Sequence, residues 1–305
     1  KLAGGTHTFN VTKKNITFSG SRVYDGTTTV SSSDLITNDT TSGENLTFTG
    51  NGSVSSANVQ NNQAVTKGTI AIADGSGGGL ASNYNLTTGT FNISQKWVNI
   101  SGQRVYDATN TVNSSDLGVS GEVSGESISI TGTGSIGDRN VGSGKSINTS
   151  GLSLADGTHS ASNYTIGTTS CAVTPRNVSI SGEKVYDGNG TVSSNQIDTI
   201  NTAGGETLNI SGQGSVALPS VGTNKSITLS TLSISDGTSG TIGLASNYTL
   251  DSGLFDVTAK PITLSGSRQY DGTTNVVSND ITLVGKVTGE SITITGEGSV
   301  GDKNV

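Results

Sequence analysis

"RVYDGTTTV", residues 22–30, decides the fold because the chain repeats it: "RVYDATNTV" begins at Arg104, "KVYDGNGTV" at Lys184 and "RQYDGTTNV" at Arg268. The tyrosines of these copies are Tyr24, Tyr106, Tyr186 and Tyr270, at successive steps of 82, 80 and 84 residues. A second motif, "ASNY", holds Tyr84, Tyr164 and Tyr248, and the two motifs account for all 7 tyrosines of the chain. A period of about 80 residues is too long for one coil of a solenoid and suits a small independent domain.

Working outward, each copy keeps one order. An "ITFSG"-like strand comes first, then Tyr-Asp-Gly, a Gly-Glu strand, a Lys-containing strand, an Asp-Gly turn, "ASNY" and a closing strand. The opening "THTFNVTKK" matches "TGTFNISQK", the close of the next copy, so residues 1–13 read as the closing strand of a preceding repeat. Repeats then span 14–96, 97–175 and 176–259. A fourth, 260–305, stops after "GEGSVGDKNV", which matches "GTGSIGDRNV" at 132–141. On this reading the 305 residues are a window on a longer array.

Apolar residues make up only 30% of the chain, with 44 glycines and no methionine, so the cores must be small. They are nevertheless ordered. "SISITGTGSI", "SITLSTLSI" and "ITITGEGSV" alternate apolar and polar, the period-2 signature of half-buried strands. Turn signals recur every eight to twelve residues or so, as in all-β sandwiches. Helical periodicity never exceeds one turn, with "TVSSSDL" at 29–35 the place for one. The fold expected is therefore all-β, tandem immunoglobulin-like β-sandwich repeats. β-grasp-like repeats are the first alternative. A β-helix is the second, and it would need a coil period of about 20–30 residues.

Charge is thin, 13% of residues with a net of −7, and no basic cluster offers a footprint for nucleic acid. No apolar run reaches the ~18 residues of a membrane span, and a single cysteine excludes an internal disulfide framework. Small secreted domains without disulfides fit a bacterial surface better than an animal one.

Each chemical reading competes with a plainer one. Cys171 occupies the column of Phe91 and Phe255, seven residues after the "ASNY" tyrosine, and reads as a small core hydrophobe. The "ASNY" tyrosines suit a tyrosine corner, in which the hydroxyl turns back to backbone a few residues upstream. In Tyr-Asp-Gly the ring is expected inside, Asp accepts local N–H groups and Gly supplies a positive φ. Ala108 replaces that glycine in one copy. "GSGKS" at 142–146 fails the phosphate-loop pattern because Arg139 stands where its first glycine belongs.

Lys67, Lys145 and Lys225, with Glu44, Glu126, Glu206 and Glu290, could build an autocatalytic Lys–Asn crosslink. The plainer reading is an edge-strand lysine and a turn glutamate. His7 and His159 lack partners at metal-ligand spacing. The Asp-Gly pairs at 74, 156 and 236 read as hairpin turns before calcium ligands. Trp97 has no counterpart in other copies, and sequons such as Asn92-Ile-Ser follow from composition. No catalytic, cofactor-binding or metal-ligating residue is assigned, and no cofactor is expected.

The ordered combination "Y-D-G-T-T", "G-E-x-[IL]-x-[IL]-x-G-x-G-S-[IV]-G-D-[RK]-N-V" and "A-S-N-Y-T-[IL]" resembles the YDG-type repeat of large bacterial surface adhesins, which are similar to filamentous haemagglutinin and exported by two-partner secretion. The resemblance covers essentially the whole chain. It implies a non-enzymatic stalk or filament segment of an extracellular adhesin at the bacterial cell surface, supporting cell–cell or cell–surface attachment and biofilm matrix. Expected partners are neighbouring repeats or other copies of the chain, with surface polysaccharide or a receptor on a host or neighbouring cell as further candidates. Nucleic acid and membrane insertion of this segment are not expected. The alternatives are a carbohydrate-binding repeat array and an accessory region of a polysaccharide-acting enzyme. Because "ISQKWVNI", "VTPRNVSI" and "VTAKPITL" contain no flexible Gly/Ser run, one repeat should pass directly into the next as an extended rod.

Overall fold

A computed structural model describes residues 8–304. They fall into two compact units. One holds the described residues through Arg104 together with Asn110–Asp138 and Gly142–Ala172; the other holds Val105–Thr109, Arg139–Val141 and the chain from Val173 onward. The division does not follow the repeats. The second copy's Tyr-Asp-Ala turn and its Arg139–Val141 segment belong with the third copy.

In the first repeat the alternating stretch "NITFSG" makes β1 (Lys14–Val23), with Ile16 and Phe18 turned into the core. The short strands β2 (Thr29–Ser31), β3 (Leu35–Asn38), β4 (Thr47–Thr49), β5 (Asn51–Ser53), β6 (Gln60–Ala64) and β7 (Ala71–Ala73) lead to β8 (Tyr84–Ser94). One layer is the mixed sheet β3-β1-β8-β6, and the pairs β2–β5 and β4–β7 make the other. Phe18 on the first layer meets Phe48 on the second, ring centroids 5.8 Å apart, and Val30, Phe91 and Ile93 complete a dry interior. This is a small β-sandwich, closed by side chains from two inner faces.

The second repeat has the same plan. β9 (Lys96–Val105), β10 (Thr111–Asn113), β11 (Leu117–Ser120), β12 (Ile128–Ile136), β13 (Gly142–Lys145), β14 (Ile147–Asn148), β15 (Leu152–Asp156) and β16 (Tyr164–Thr174) build the sheets β11-β9-β16-β13 and β10-β12-β14, with β15 beside β12. In the third, Arg176–Val185 again pairs with both Ile197–Ile200 and Tyr248–Thr258.

First and last strands pair in parallel: Lys14 stands opposite Tyr84 and Val23 opposite Ser94. Alternation reports which face a residue occupies and says nothing of strand direction, so the sequence left this open. A parallel pair requires a crossover, and here the rest of the repeat provides it. The helices among the described residues are single 3-10 turns of three residues. One set begins at Ser32–Asp34, inside the 29–35 stretch where a turn was expected, and recurs at Ser114–Asp116, Ser194–Gln196 and Ser278–Asp280; the other lies in each "ASN". Among the described residues no helix covers a sheet as a β-grasp would require, and the pairing closes within repeats of about 80 residues rather than β-helix coils.

The opening strand's glycine is a packing requirement. A Cβ on Gly182 would lie 1.9 Å from the Gln196 carbonyl oxygen, and one on Gly102 the same distance from that of Asp116. The 3-10 turn of each repeat rests directly on this bare backbone.

The expected closing strand at 1–13 falls partly outside the described residues, as does His7; Thr8–Lys13 form no strand. In the fourth stretch Thr263–Gly266 pairs with Ile281–Val284 and Asn275–Val277 with Glu297–Ser299, yet no described residue after Val257 is buried. Among the described residues its opening strand has no parallel partner of the β8 type. No helix among the described residues is long and apolar enough to cross a membrane.

Candidate functional site: a tyrosine–glutamate latch

The site begins with the turn after each opening strand. Asp25 Oδ1 accepts the Thr27 backbone N–H at 2.9 Å and its hydroxyl at 3.0 Å, and Asp107, Asp187 and Asp271 repeat the amide bond. Gly26 and Gly188 take φ of 78° and 82°; Ala108 is held in the same left-handed region at 64°. A cation two residues before the tyrosine gathers the carbonyls beyond the turn. Arg22 reaches those of Thr27 and Thr29, and Lys184 Nζ reaches those of Asn189 and Thr191, both at 2.8 Å. The Arg268 hydrogen bond helps hold the Asp271 carboxyl at about 2. The tyrosine's own amide bonds to the last carbonyl of the closing strand, Tyr24 to Ser94, Tyr106 to Thr174 and Tyr186 to Thr258, each at 2.9 Å. The turns at Tyr24, Tyr106 and Tyr186 are therefore pinned to the ends of their sandwiches, with the rings facing onward.

What it faces is the next repeat. In the first unit Tyr24 donates its hydroxyl to Glu126 Oε1 at 2.8 Å, and Tyr164 donates to Glu126 Oε2 at 2.5 Å. The rings meet edge to face, centroids 5.5 Å apart at 79°. The Val123 N–H donates to the Tyr164 hydroxyl at 3.2 Å. Asn163, 1% exposed, accepts the Val59 N–H at 2.9 Å and donates to Asn58 Oδ1 at 3.0 Å. The turn fits closely: a Cβ on Gly26 would sit 2.9 Å from Glu126 Oε1.

The second unit repeats the arrangement. Tyr106 donates to Glu206 Oε1 at 2.8 Å and Tyr248 to Oε2 at 2.6 Å, with ring centroids 5.4 Å apart at 80°. The Ala203 N–H donates to the Tyr248 hydroxyl at 3.1 Å. Asn247 accepts from the Val141 N–H and donates to Asn140. Here Arg139 joins in, donating to Glu206 Oε1 at 3.1 Å and to the Ala108 carbonyl at 2.7 Å. Glu206 is 3% exposed, a carboxylate removed from water with its oxygens filled by donors. Tyr186 donates to Glu290 in the same way.

Burial, reinforced by the glutamate that accepts each hydroxyl, pushes the Tyr24 and Tyr164 phenols up to about 12 and raises those of Tyr106 and Tyr248 as well. A negative neighbour in a dry site opposes a second negative charge, so the phenols stay protonated donors.

A model of the YDG domain matches residues 9–91, 93–171 and 172–253. The chain belongs to the YDG domain family. No curated protein matches it. The latch therefore joins consecutive YDG repeats, and both motifs that define the period serve it.

The tyrosine-corner reading of "ASNY" is corrected. Those hydroxyls accept N–H groups of Thr41, Val123 and Ala203, 43, 41 and 45 residues upstream, and donate to glutamate. The glutamates read as turn residues are the latch acceptors. Their recurrence 40, 38 and 42 residues before the "ASNY" tyrosine was the available signal.

Lys67, Lys145 and Lys225 are not brought to those glutamates; they bind the Leu86 carbonyl, Asp138 and the Leu218 carbonyl. Asp74, Asp156 and Asp236 cap the "ASN" turns through the N–H groups of Ala81, Ala161 and Ala245. Cys171 is fully buried, and burial raises its thiol pKa. His159 Nε2 stands 3.9 Å from Glu126 Oε1.

Proposed function

We propose that this run of YDG repeats is a non-enzymatic spacer in an extracellular bacterial adhesin, a stalk that carries attachment or matrix contacts made elsewhere in the protein. The observation that carries the reading is the latch itself. The repeated polar side chains are used to fasten one repeat to the next, which is what a load-bearing array needs and a solution enzyme does not. The covalent path is equally short: only Gln95 separates the end of β8 at Ser94 from the start of β9 at Lys96, and only Pro175 separates the end of β16 at Thr174 from the strand that begins at Arg176. A one-residue joint has no slack to act as a flexible coil.

A strand of about ten residues spans ~33 Å, so three and a half repeats in line should extend on the order of 120–150 Å. Small-angle scattering tests this: a maximum dimension near ~60 Å would sink the stalk. Incubation with capsular and matrix polysaccharides tests the enzymatic alternative, and sustained release of reducing ends would replace the reading. A carbohydrate-binding array calls for an exposed aromatic in every repeat. Five tyrosines are instead buried, and the exposed Trp97 is unique to its copy.

A further inference from the structure

One corner of the second repeat departs from the other copies on both of its strands at once. In the first repeat that corner is closed by hydrogen bonds across its own sheet: Asn15 Oδ1 accepts the Asn85 side-chain amide at 2.8 Å, and Thr87 donates its hydroxyl to the Ile16 carbonyl at 2.8 Å. In the second repeat Trp97 takes the place of Asn15 and Asn177, and Gly167 that of Thr87 and Asp251. A Cβ on Gly167 would lie 3.1 Å from Trp97 Cε3 and 3.5 Å from Trp97 Cβ, so the indole is seated against bare backbone. Trp97 nevertheless remains 71% exposed. The exposed positions that share its side of the sheet are polar and uncharged: Asn99 and Ser101 on β9, Ser120 on β11, Thr168 and Ser170 on β16. Ser120 stands opposite Asn99, and Asn99 Oδ1 accepts the Thr168 hydroxyl at 2.6 Å, which fixes the plane of the exposed amide.

We propose that Trp97 is the platform of a single binding site for neutral hexopyranose units of a polysaccharide. A pyranose ring presents a flat face of C–H groups. The negative face of an indole attracts their partial positive charge, and both surfaces leave water as they stack. The sugar's rim of hydroxyls needs uncharged donors and acceptors, which Asn99, Ser120 and Thr168 supply. A protein partner calls for a different setting, because a tryptophan that anchors a protein interface is ringed by contacts that exclude water; here the ring is bordered by hydroxyls and an amide. An acidic polysaccharide would call for cations, and these outward positions carry none. The site is solitary, in keeping with a tryptophan found in one repeat, and so differs from a carbohydrate-binding array. It also goes beyond the spacer reading without depending on it: a compact scattering profile would remove the stalk and leave the sugar site.

Trp97 is the only tryptophan of the chain, so indole emission reports this site alone. Titrating the intact chain with maltohexaose, cellohexaose and a β-1,4-linked galactohexaose should quench and blue-shift that emission for at least one of the three, with a Kd on the order of 1 mM. Trp97→Asn installs the residue that the first and third repeats already carry, so the sandwich is kept. Saturation-transfer NMR with the same sugar should then weaken by roughly tenfold or more, the loss expected for a stacking anchor. Asn99→Ala should weaken binding several-fold. Emission that none of the three sugars changes up to ~20 mM would overturn the proposal and leave the face to a protein partner. Saturation transfer that survives Trp97→Asn would overturn it as well, placing the sugar elsewhere on the chain.

Discussion

Tyr24 and Glu126 lie 102 residues apart in the chain and 2.8 Å apart in space. That bond ties the end of one sandwich to the middle of the next, and Tyr106 makes the equivalent bond to Glu206 over 100 residues. Glu206 serves two phenols and a guanidinium while almost wholly excluded from water.

Removing that acceptor leaves buried donors unpaired. Glu206→Ala should lower stability by about 3 kcal/mol, and Glu206→Gln, which keeps one acceptor oxygen, by about half as much. Urea unfolding of the intact chain measures both. A loss below ~0.5 kcal/mol for Glu206→Ala would mean that the latch contributes little.

Alkaline pH should release the same contacts. The folded Tyr24 and Tyr164 titrate at about 12, against an ordinary value of 10.0. Between these values the unfolded chain has already lost the protons that the folded chain retains. Stability is thus fully present below pH 10 and falls as pH rises towards 12. Thermal midpoints across this range, with phenolate absorbance near 295 nm as the readout, should show ionisation coinciding with unfolding. Reversible ionisation near pH 10 in the folded protein would contradict the buried pairing.

Two glycine exchanges should act in opposite directions. Gly182→Ala places a methyl 1.9 Å from the Gln196 carbonyl, so backbone must move, at a cost of about 3 kcal/mol. Ala108→Gly relieves an alanine held at φ 64° and should add about 0.5–1 kcal/mol, left-handed strain outweighing the added chain entropy. Paired chemical denaturation curves would show the two shifts; equal signs would refute the argument.

Cys171 should resist thiol reagents in the folded chain, since it is wholly enclosed and burial raises its pKa. Ellman's reagent should react stoichiometrically only in denaturant. Rapid labelling without it would place the thiol outside the core.

The sequence by itself determined the period, the all-β class and the inward positions of the phenylalanine columns within the three complete repeats, while Phe9 and Leu264, outside those repeats, are exposed. A repeated alternation of Ile, Val and Phe has one way to bury its apolar half, so Phe18, Phe91, Phe255 and Cys171 could be placed in cores before any coordinates were known. It also placed the Tyr-Asp-Gly turn, whose chemistry is local to three or four residues. Strand direction and the roles of Glu126, Glu206, Asn163 and Asn247 were decided only by the tertiary structure. A glutamate's hydrogen bonds follow from what stands 2.5–3 Å away, and here the partners sit on another repeat, about 100 residues removed. Spacing alone cannot tell a carboxylate that faces water from one enclosed by two tyrosine rings. That distinction depends on desolvation, which exists only once neighbouring repeats are packed together.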